Sequence, residues 1–263
     1  MTERGGPAIP DHSNLNQAPN DRESLPAKHR ARIPNEPSAN GILGSLPSSL
    51  LHEFESKLRP VNLAFGDVIY QPNQPVEYAY FPTAGVISLL AAFEDGSTVE
   101  AGLIGSEGVL GTWIVMGAET TPHQALVQSA GYAYKLGVRD LRALVHNDGL
   151  LLNGLLRYTN ALFNQVAQTA ACNRTHKLEQ RLARWLLLTH DRVIGDEFHL
   201  TQDFISRMLA VRRAGVSVAA NSLRQMRAID YQRGNLMVLN RKGLEEASCE
   251  CYNIVKTEYD RLP

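Results

Sequence analysis

Apolar residues between Val61 and Lys135 occur in short runs that turn sequences separate. The runs are rich in β-branched and aromatic residues: VNLAF, DVIYQ, EYAYFPTAGVISLLAAF, STVEAGLI and ALVQSAGYAYKL. The turn sequences are FGD, QPNQP, EDGST and IGSEG. Many short strands with turns between them are typical of a β-sandwich or β-roll. Together with a short helix in LPSSLLHEFESKLRPV, where apolar residues recur at helical spacing, this pattern predicts an N-terminal β-roll over residues 41–147.

A long helix is predicted from about Asp148 to Thr175. One line of positions along it steps by alternating three and four residues: Leu152, Leu155, Thr159, Leu162, Val166 and Thr169. Leu156, Phe163 and Ala170 form a second edge. An alternating three-four seam is the coiled-coil pattern, and a helix packed on its own sheet is the alternative. Because asparagines and glutamines surround the narrow seam, we favour a dimer interface formed by the first line.

The stretch LTQDFISRMLAVRRAGVSVAANSLRQMRAID, residues 200–230, contains two short amphipathic patterns separated by AVRR. Thr201 is a suitable N-cap for the first helix. The segment YQRGNLMVLNRKGLEEAS then predicts a hairpin that turns at Arg233-Gly234 and ends at Lys242-Gly243, followed by one helix in LEEASCECYNIVKTEYDRL. Two short helices, a tight turn and a hairpin describe a winged helix-turn-helix, which we predict over residues 176–263.

Residues 1–40 have a different character. They are rich in proline, asparagine, glycine and serine and show no apolar periodicity, so they are predicted to form a disordered tail. The fold class expected for the chain is therefore α+β. It consists of a jelly-roll-like β-roll, a dimerisation helix over residues 148–175 and a C-terminal winged helix-turn-helix.

Positive charge is concentrated in one segment and does not dominate the chain as a whole. The chain carries 26 basic and 27 acidic side chains, so a nucleic-acid footprint has to be local. Between Asp196 and Lys242, eight bases stand against four acids, and Arg212 and Arg213 lie where the second helix begins. Arginine can bind a guanine edge or a phosphate. A helical hairpin with a solvated arginine face is the alternative, but the dimer helix upstream and the wing downstream favour DNA.

Several other classes are not supported. No apolar run approaches the roughly 18 residues that a membrane span needs, and the N-terminus lacks a signal-peptide pattern. The cysteines, Cys172, Cys249 and Cys251, are too few for a disulfide scaffold and fit a reducing cytoplasm as buried or idle thiols. A cupin-like metalloenzyme needs a histidine cluster, yet the strand-rich region holds only His123. We expect a cytoplasmic protein that is not an enzyme.

The order of these elements resembles the Crp/Fnr family of bacterial transcription regulators. FGDVIYQPNQP and FEDGSTVEAGLIGSEGVLG in the roll and LTQDFISRMLAVRRAGVSVAA in the helix pair carry the likeness, which runs from about Ile42 to Leu262. The resemblance implies a homodimer that binds near-palindromic double-stranded DNA and contacts RNA polymerase. The sequence CECY, at Cys249–Tyr252, also looks like a subgroup with a degenerate sensor pocket.

The resemblance also implies a set of DNA-contacting residues, which are Thr201, Gln202, Arg212, Arg213, Ala214, Ser217, Val218, Asn221 and Arg233. Three positions commonly reach bases in the family. Only the first keeps its charge here, at Arg213, whereas Ala214 and Val218 can meet thymine methyl groups but donate no hydrogen bond. The preferred half-site should therefore differ from that of cAMP-responsive members.

The effector pocket departs from the family pattern. Val109 or Thr112 stands where the family has the glutamate that binds the ribose, and His123-Gln124 replaces the arginine-containing phosphate sequence. A buried cyclic phosphate without its cation is poorly compensated, and a histidine is only a weak substitute. We therefore expect no cAMP response, and the effector stays open.

No cofactor or metal is expected. Oxygen-sensing family members hold an iron–sulfur cluster with N-terminal cysteines, and residues 1–59 contain none. Cys249 and Cys251 are judged to lack enough partners for a site with the usual four ligands. The alternative function is a signal-binding β-roll module that no longer binds DNA, against which Arg212 and Arg213 argue.

Overall fold

The computed structural model describes residues 36–262. Most of the predicted tail, residues 1–35, lies outside this range. The last tail residues, however, belong to the fold, because a short 3-10 turn at Pro37–Ala39 leads into Asn40, which is fully buried. The Asn40 side chain accepts hydrogen bonds from the backbone of Ile42 and Leu43 and so caps the first helix. The prediction that the tail extends to residue 40 is wrong by several residues.

The N-terminal half is a β-roll, as predicted, but two short helices precede it where the sequence predicted one. The helices are α1 (Gly41–Gly44) and α2 (Ser48–Glu55); the strands are β1 (Arg59–Leu63), β2 (Val68–Tyr70), β3 (Tyr78–Ala92), β4 (Thr98–Ile104) and β5 (His123–Gly137). They form an antiparallel sheet in the order β1-β5-β3-β4, with β2 also paired to β5. Register shifts near Ala84 bend the two long strands, which lets the sheet close over one apolar core.

Two helices follow the roll. These are α3 (Val138–Asn147) and the long α4 (Gly149–Thr175). Asp148 caps α4, since its Oδ1 accepts hydrogen bonds from Leu150 N at 2.7 Å and Leu151 N at 3.1 Å. The predicted bounds of the long helix thus agree with the structure at both ends.

The C-terminal part contains the predicted helix pair and hairpin. Its elements are α5 (Leu178–His190), β6 (Glu197–His199), α6 (Gln202–Met208), α7 (Arg213–Gln225), β7 (Ile229–Gln232), β8 (Asn235–Val238), α8 (Arg241–Ala247) and α9 (Cys251–Asp260). The three strands pair antiparallel in the order β6-β8-β7. Trp185, Ile205, Val216, Leu223 and Leu236 belong to the apolar core beneath these elements.

The end of the chain differs from the prediction. Lys242-Gly243 does not end the hairpin, because Asn240 caps a new helix there by accepting a hydrogen bond from Gly243 N at 3.0 Å. The single last helix is also divided in two. Ser248 has an extended conformation (ψ 178°) that ends α8, and α9 begins at Cys251. The break places two cysteines at a corner rather than along one helix.

The C-terminal part packs directly on the roll through buried polar contacts. Trp185 Nε1 donates a hydrogen bond to Glu100 Oε1 at 2.8 Å, and Arg192 Nε donates to Glu107 Oε1 at the same distance. Burial raises the pKa of Glu100 to about 7. Within residues 36–262, no helix combines the length and the apolar character needed to cross a membrane.

Candidate nucleic-acid interface

The turn between α6 and α7 closes by a regular helix-ending motif. Ala210 has a left-handed conformation (φ 51°). Its N–H donates to Arg207 O at 3.2 Å, and Val211 N–H donates to Ser206 O at 2.9 Å. This pair of bonds is the Schellman motif, which usually has glycine at the left-handed position. AVRR therefore forms the tight turn that the sequence predicted, with an alanine in a strained place.

The two faces of α7 are sharply different. Val216, Ala219, Ala220 and Leu223 are buried against α5 and α6. On the opposite side Ala214 and Asn221 are exposed, and Val218 is 72% exposed. An exposed valine beside an alanine leaves an apolar strip on the outer surface of the helix, bordered by the arginines at its start.

Arg212 and Arg213 lie at the first residues of α7 and are exposed. Among residues 36–262, neither arginine has a carboxylate within ion-pair distance, whereas Arg224, further along the same helix, contacts Asp230 at 3.5 Å. The first turn of α7 contains no acidic residue. Its free N–H groups and the two guanidinium groups together make this end of the helix electropositive.

Three other predicted DNA residues form hydrogen bonds within the helix pair. Thr201 Oγ1 caps α6 by accepting a hydrogen bond from Phe204 N at 3.1 Å. Ser217 Oγ donates to Gln202 Oε1 at 2.7 Å, which links the start of α6 to the middle of α7. The structure thus brings these side chains next to the exposed face of α7, but in the free chain they already have partners.

The wing turns where the sequence predicted. Gln232 pairs with Asn235, so Arg233 and Gly234 form a two-residue loop. Both have positive φ, 52° and 84°, as a type I′ turn requires. Arg233 is exposed at the tip, and no described carboxylate forms an ion pair with it.

Half of the seam predicted on the long helix α4 is buried within the chain itself. Leu155, Leu162 and Thr169 are only 1%, 6% and 8% exposed within one chain, because they pack against the roll and α5. They cannot form a dimer seam, and this part of the prediction is wrong. The other three members of the line, Leu152, Thr159 and Val166, are half-buried.

The second predicted edge of α4 is exposed to solvent. Leu156 is 47% exposed, Phe163 is 69% exposed and Ala170 is exposed as well. Combined with Leu152, Thr159 and Val166, these residues again step by alternating four and three. Within residues 36–262, the apolar seam that α4 leaves exposed is therefore rotated by about one residue from the predicted seam.

The predicted effector residues lie on two separated elements of the roll. Val109 and Thr112 are buried in and beside the apolar core. His123 and Gln124 are half-buried at the start of β5, where Gln124 Nε2 donates weakly to Gln71 Oε1 at 3.4 Å. Burial lowers the pKa of His123 below its usual value of 6.5, so this side chain is neutral at pH 7.

The cysteines are not isolated, and here sequence reasoning missed a cluster. Cys249 and Cys251 meet Cys172 and His176, with the four ligand atoms within 4.8 Å of one another. The prediction that the two C-terminal cysteines lack partners is wrong, because their partners come from the distant end of α4. A Cys-x-Cys pair and a Cys-x₃-His pair were the available signals. Burial raises the pKa of Cys249 to about 12, so its free thiol is a poor nucleophile.

Comparison with known proteins supports the helix pair as a DNA-binding module. Residues 180–247 match the Crp-like helix-turn-helix domain. No curated protein sequence matches the chain.

Solved structures share the wider fold. FixK2 from Bradyrhizobium japonicum is similar over 73% of this chain and 98% of its own, with a TM-score of 0.63 and 16% identity. A CRP-family transcriptional regulator from Thermus thermophilus is similar over 72% of this chain and 96% of its own, with a TM-score of 0.60 and 19% identity. The c-di-GMP-responsive global regulator CLP from Xanthomonas campestris is similar over 73% of this chain and 99% of its own, with a TM-score of 0.59 and 12% identity.

Proposed function

We propose that this chain, which contains a Crp-like helix-turn-helix domain and has the fold of Crp/Fnr transcriptional regulators, is a sequence-specific DNA-binding regulator. The observation that carries the proposal is the exposed face of α7. Arg212 and Arg213 lie at its start without an ion pair to any described carboxylate, beside an outer surface formed by Ala214, Val218 and Asn221. In helix-turn-helix proteins this end of the second helix enters the major groove.

The residues of α7 suggest a division of roles. Arg213 is placed to read a guanine edge through its guanidinium fork, and Arg212 to hold a phosphate. Ala214 and Val218 can contact thymine methyl groups, and Asn221 can recognise adenine. Arg233 at the wing tip is free to bind the backbone of the adjacent minor groove. Thr201 and Gln202 support this arrangement at the start of α6.

The regulator acts as a homodimer through the exposed seam of α4. Its members are Leu152, Leu156, Thr159, Phe163, Val166 and Ala170. A large exposed phenylalanine in an alternating four-three repeat is best covered by the same helix of a second copy. A parallel pair of α4 helices would place two copies of α7 roughly 34 Å apart, one helical turn of DNA. The favoured site is therefore near-palindromic.

The roll functions as a sensor domain that does not bind cAMP. The ribose glutamate of the family is replaced by Val109 or Thr112, both buried, and the phosphate arginine by His123-Gln124. Because His123 is neutral at pH 7, it adds no positive charge for a cyclic phosphate. The domains we propose are the roll (residues 41–147), the dimer helix (148–175) and the DNA-binding part (176–263), with RNA polymerase as the expected protein partner.

Selection of bound sequences from randomised double-stranded DNA tests this function. We expect a motif with two inverted half-sites whose centres are about 10 base pairs apart. A roll that binds a signal but no longer binds DNA is the second candidate. It would return no enriched motif and no gel shift at low salt, and that result would overturn the proposal.

A further inference from the structure

Four potential metal ligands from two distant parts of the chain meet at the end of α4. Cys172 and His176 lie one helical turn apart there, and Cys249 and Cys251 flank the break between α8 and α9. Cys172 Sγ is 3.5 Å from Cys249 Sγ, and Cys251 Sγ is 3.5 Å from His176 Nδ1. All four ligand atoms lie within 4.8 Å of one another.

The two shortest of these separations match those around a single tetrahedral ion. Zinc binds cysteine sulfur at about 2.3 Å and histidine nitrogen at about 2.0–2.1 Å, so its ligands are roughly 3.3–3.8 Å apart. Both distances of 3.5 Å fall within that range. Three cysteines and one histidine are also a usual donor set of structural zinc sites. An iron–sulfur cluster distributes its ligands over several iron atoms and requires wider spacing.

The groups around the cluster are those that orient metal ligands. His176 Nε2, the ring nitrogen that does not face Cys251, lies 3.3 Å from Glu250 Oε2. Histidines that bind metals commonly donate their other N–H to a carboxylate, which fixes the tautomer and leaves Nδ1 free. Gln168 Nε2 donates a hydrogen bond to Cys251 Sγ at 3.0 Å, a contact that holds this sulfur in position.

A buried cation lies beside the same cluster. Arg184 is 2% exposed, and its Nε has no hydrogen-bond partner within the described part of the chain. Its Nη1 donates to Thr169 Oγ1 at 3.2 Å. Three thiolates, a neutral imidazole and a divalent cation carry one net negative charge, which a neighbouring buried arginine balances. The three cysteines, moreover, form a cluster separate from the two large apolar cores.

We propose that Cys172, His176, Cys249 and Cys251 bind one Zn²⁺ in each protomer. The three cysteines bind as thiolates and release their protons to solvent as the ion binds, without any transfer of electrons. The ion fastens the C-terminal helix α9 and the end of α8 to the last turn of α4. Its role is structural, because four protein ligands leave no open position for a substrate.

Metal analysis of the untagged protein tests this site without reference to DNA. Protein from zinc-supplemented cells, purified under reducing conditions without chelators, should contain one zinc ion per protomer by plasma mass spectrometry. Cys251→Ser and His176→Ala should lose most of this zinc. Glu250→Gln keeps all four ligands and should weaken zinc affinity by about 10–100-fold in competition with a chromogenic chelator.

His52→Ala is the matched control, because the His52 side chain is 88% exposed and distant from the cluster in sequence. It should retain the full zinc content. Apo protein reconstituted with Co²⁺ should show the visible absorption of a tetrahedral thiolate complex, and Cys251→Ser should not. Zinc-free wild-type protein without that cobalt spectrum would overturn the proposal. So would iron with inorganic sulfide, or a Cys172–Cys249 disulfide in protein kept reduced.

Discussion

Leu162 and Phe163 are neighbours in α4, yet their side chains point in directions about 100° apart around the helix axis, so that one is buried and the other is exposed. Leu162 is 6% exposed and packs into the core of the roll, whereas Phe163 is 69% exposed among the residues that the structure describes. One helix therefore forms a wall of the roll with one face and presents an exposed apolar seam with the adjacent face.

Phe163→Glu should dissociate the proposed dimer and leave the protomer folded. Two glutamates would face each other in the seam, and an uncompensated buried charge costs about 3–5 kcal/mol, which corresponds to a hundredfold or greater increase in the dimer dissociation constant. Analytical ultracentrifugation at micromolar concentration measures this change.

Phe93→Glu is the control for that variant, because Phe93 is an equally apolar residue, 56% exposed in the turn after β3, and is not a member of the α4 seam. It should remain dimeric. Leu162→Glu should instead destabilise the fold itself. A wild-type monomer, or a dimeric Phe163→Glu variant, would show that the seam is not the interface.

Arg213→Ala should relax sequence preference at one base pair in each half-site and cost about 1–3 kcal/mol per half-site. Arg212→Ala should weaken binding to all sequences alike and reduce the salt dependence, as the loss of a phosphate contact does. Binding selections on randomised DNA, together with salt titrations, separate the two effects.

Arg224→Ala is the matched arginine control, since Arg224 lies at the end of α7 and contacts Asp230. It should return the wild-type motif. If Arg213→Ala binds more weakly but returns an unchanged motif, Arg213 is a phosphate contact. Specificity would then have to come from Ser217, Asn221 or DNA shape.

Glu100 should make stability depend on pH near neutrality. Burial raises the pKa of Glu100 to about 7 in the folded chain, above the ordinary value of 4.5. The folded state therefore holds a proton that the unfolded state has released, and stability falls as pH rises from about 4.5 to 7. Glu100→Gln removes this penalty and should raise stability above pH 7 by up to about 3 kcal/mol.

Thermal unfolding of Glu100→Gln from pH 5 to pH 8 measures the effect, with the midpoint falling less steeply with pH than in the wild type. Glu197→Gln, at an exposed position of β6, controls for the loss of one carboxylate and should leave the slope unchanged. If the unfolding midpoints of the wild type and of Glu100→Gln change with pH to the same extent, the raised pKa of Glu100 is contradicted.

Ala210→Gly should stabilise the DNA-binding part. Ala210 has φ 51°, and relief of the left-handed strain on its Cβ outweighs the extra chain entropy that glycine brings to the unfolded state. We expect a gain of about 0.5–1 kcal/mol in the free energy of unfolding, measured by urea denaturation.

Ala143→Gly provides the opposite case. Ala143 is exposed within the right-handed helix α3, where glycine should cost about 1 kcal/mol. Equal effects of the two substitutions would mean that the turn at Ala210 is not strained.

Local features were predictable from the sequence, and features set by packing were not. The Arg233-Gly234 turn, the AVRR turn and the start of α4 after Asp148 depend on neighbouring residues, and the structure has all three. Both apolar edges of α4 were visible in the sequence, but a periodic pattern does not state which edge packs on the chain's own roll.

The two cysteine-containing pairs were visible in the sequence, but their meeting in one cluster was not, for a related reason. Cys172 and Cys249 are 77 residues apart, and only the packing of α9 on α4 brings their sulfur atoms to 3.5 Å. The break after Ser248 was equally hidden, because the segment around it has helical periodicity on both sides. Contacts between residues that are far apart in the sequence become apparent only when the packing of the helices is known.

Asn40 has a practical consequence for shortened versions of this protein. Besides capping α1, its Nδ2 donates hydrogen bonds to Pro82 O at 2.8 Å and Gly108 O at 2.7 Å, both in the interior of the roll. A fragment that starts at Gly41 would keep every predicted helix and strand but would leave these carbonyl groups without a donor, at about 1–3 kcal/mol for each buried group. The boundary at which composition changes is thus not the boundary at which the fold can be cut, and a minimal expression fragment should begin no later than Glu36.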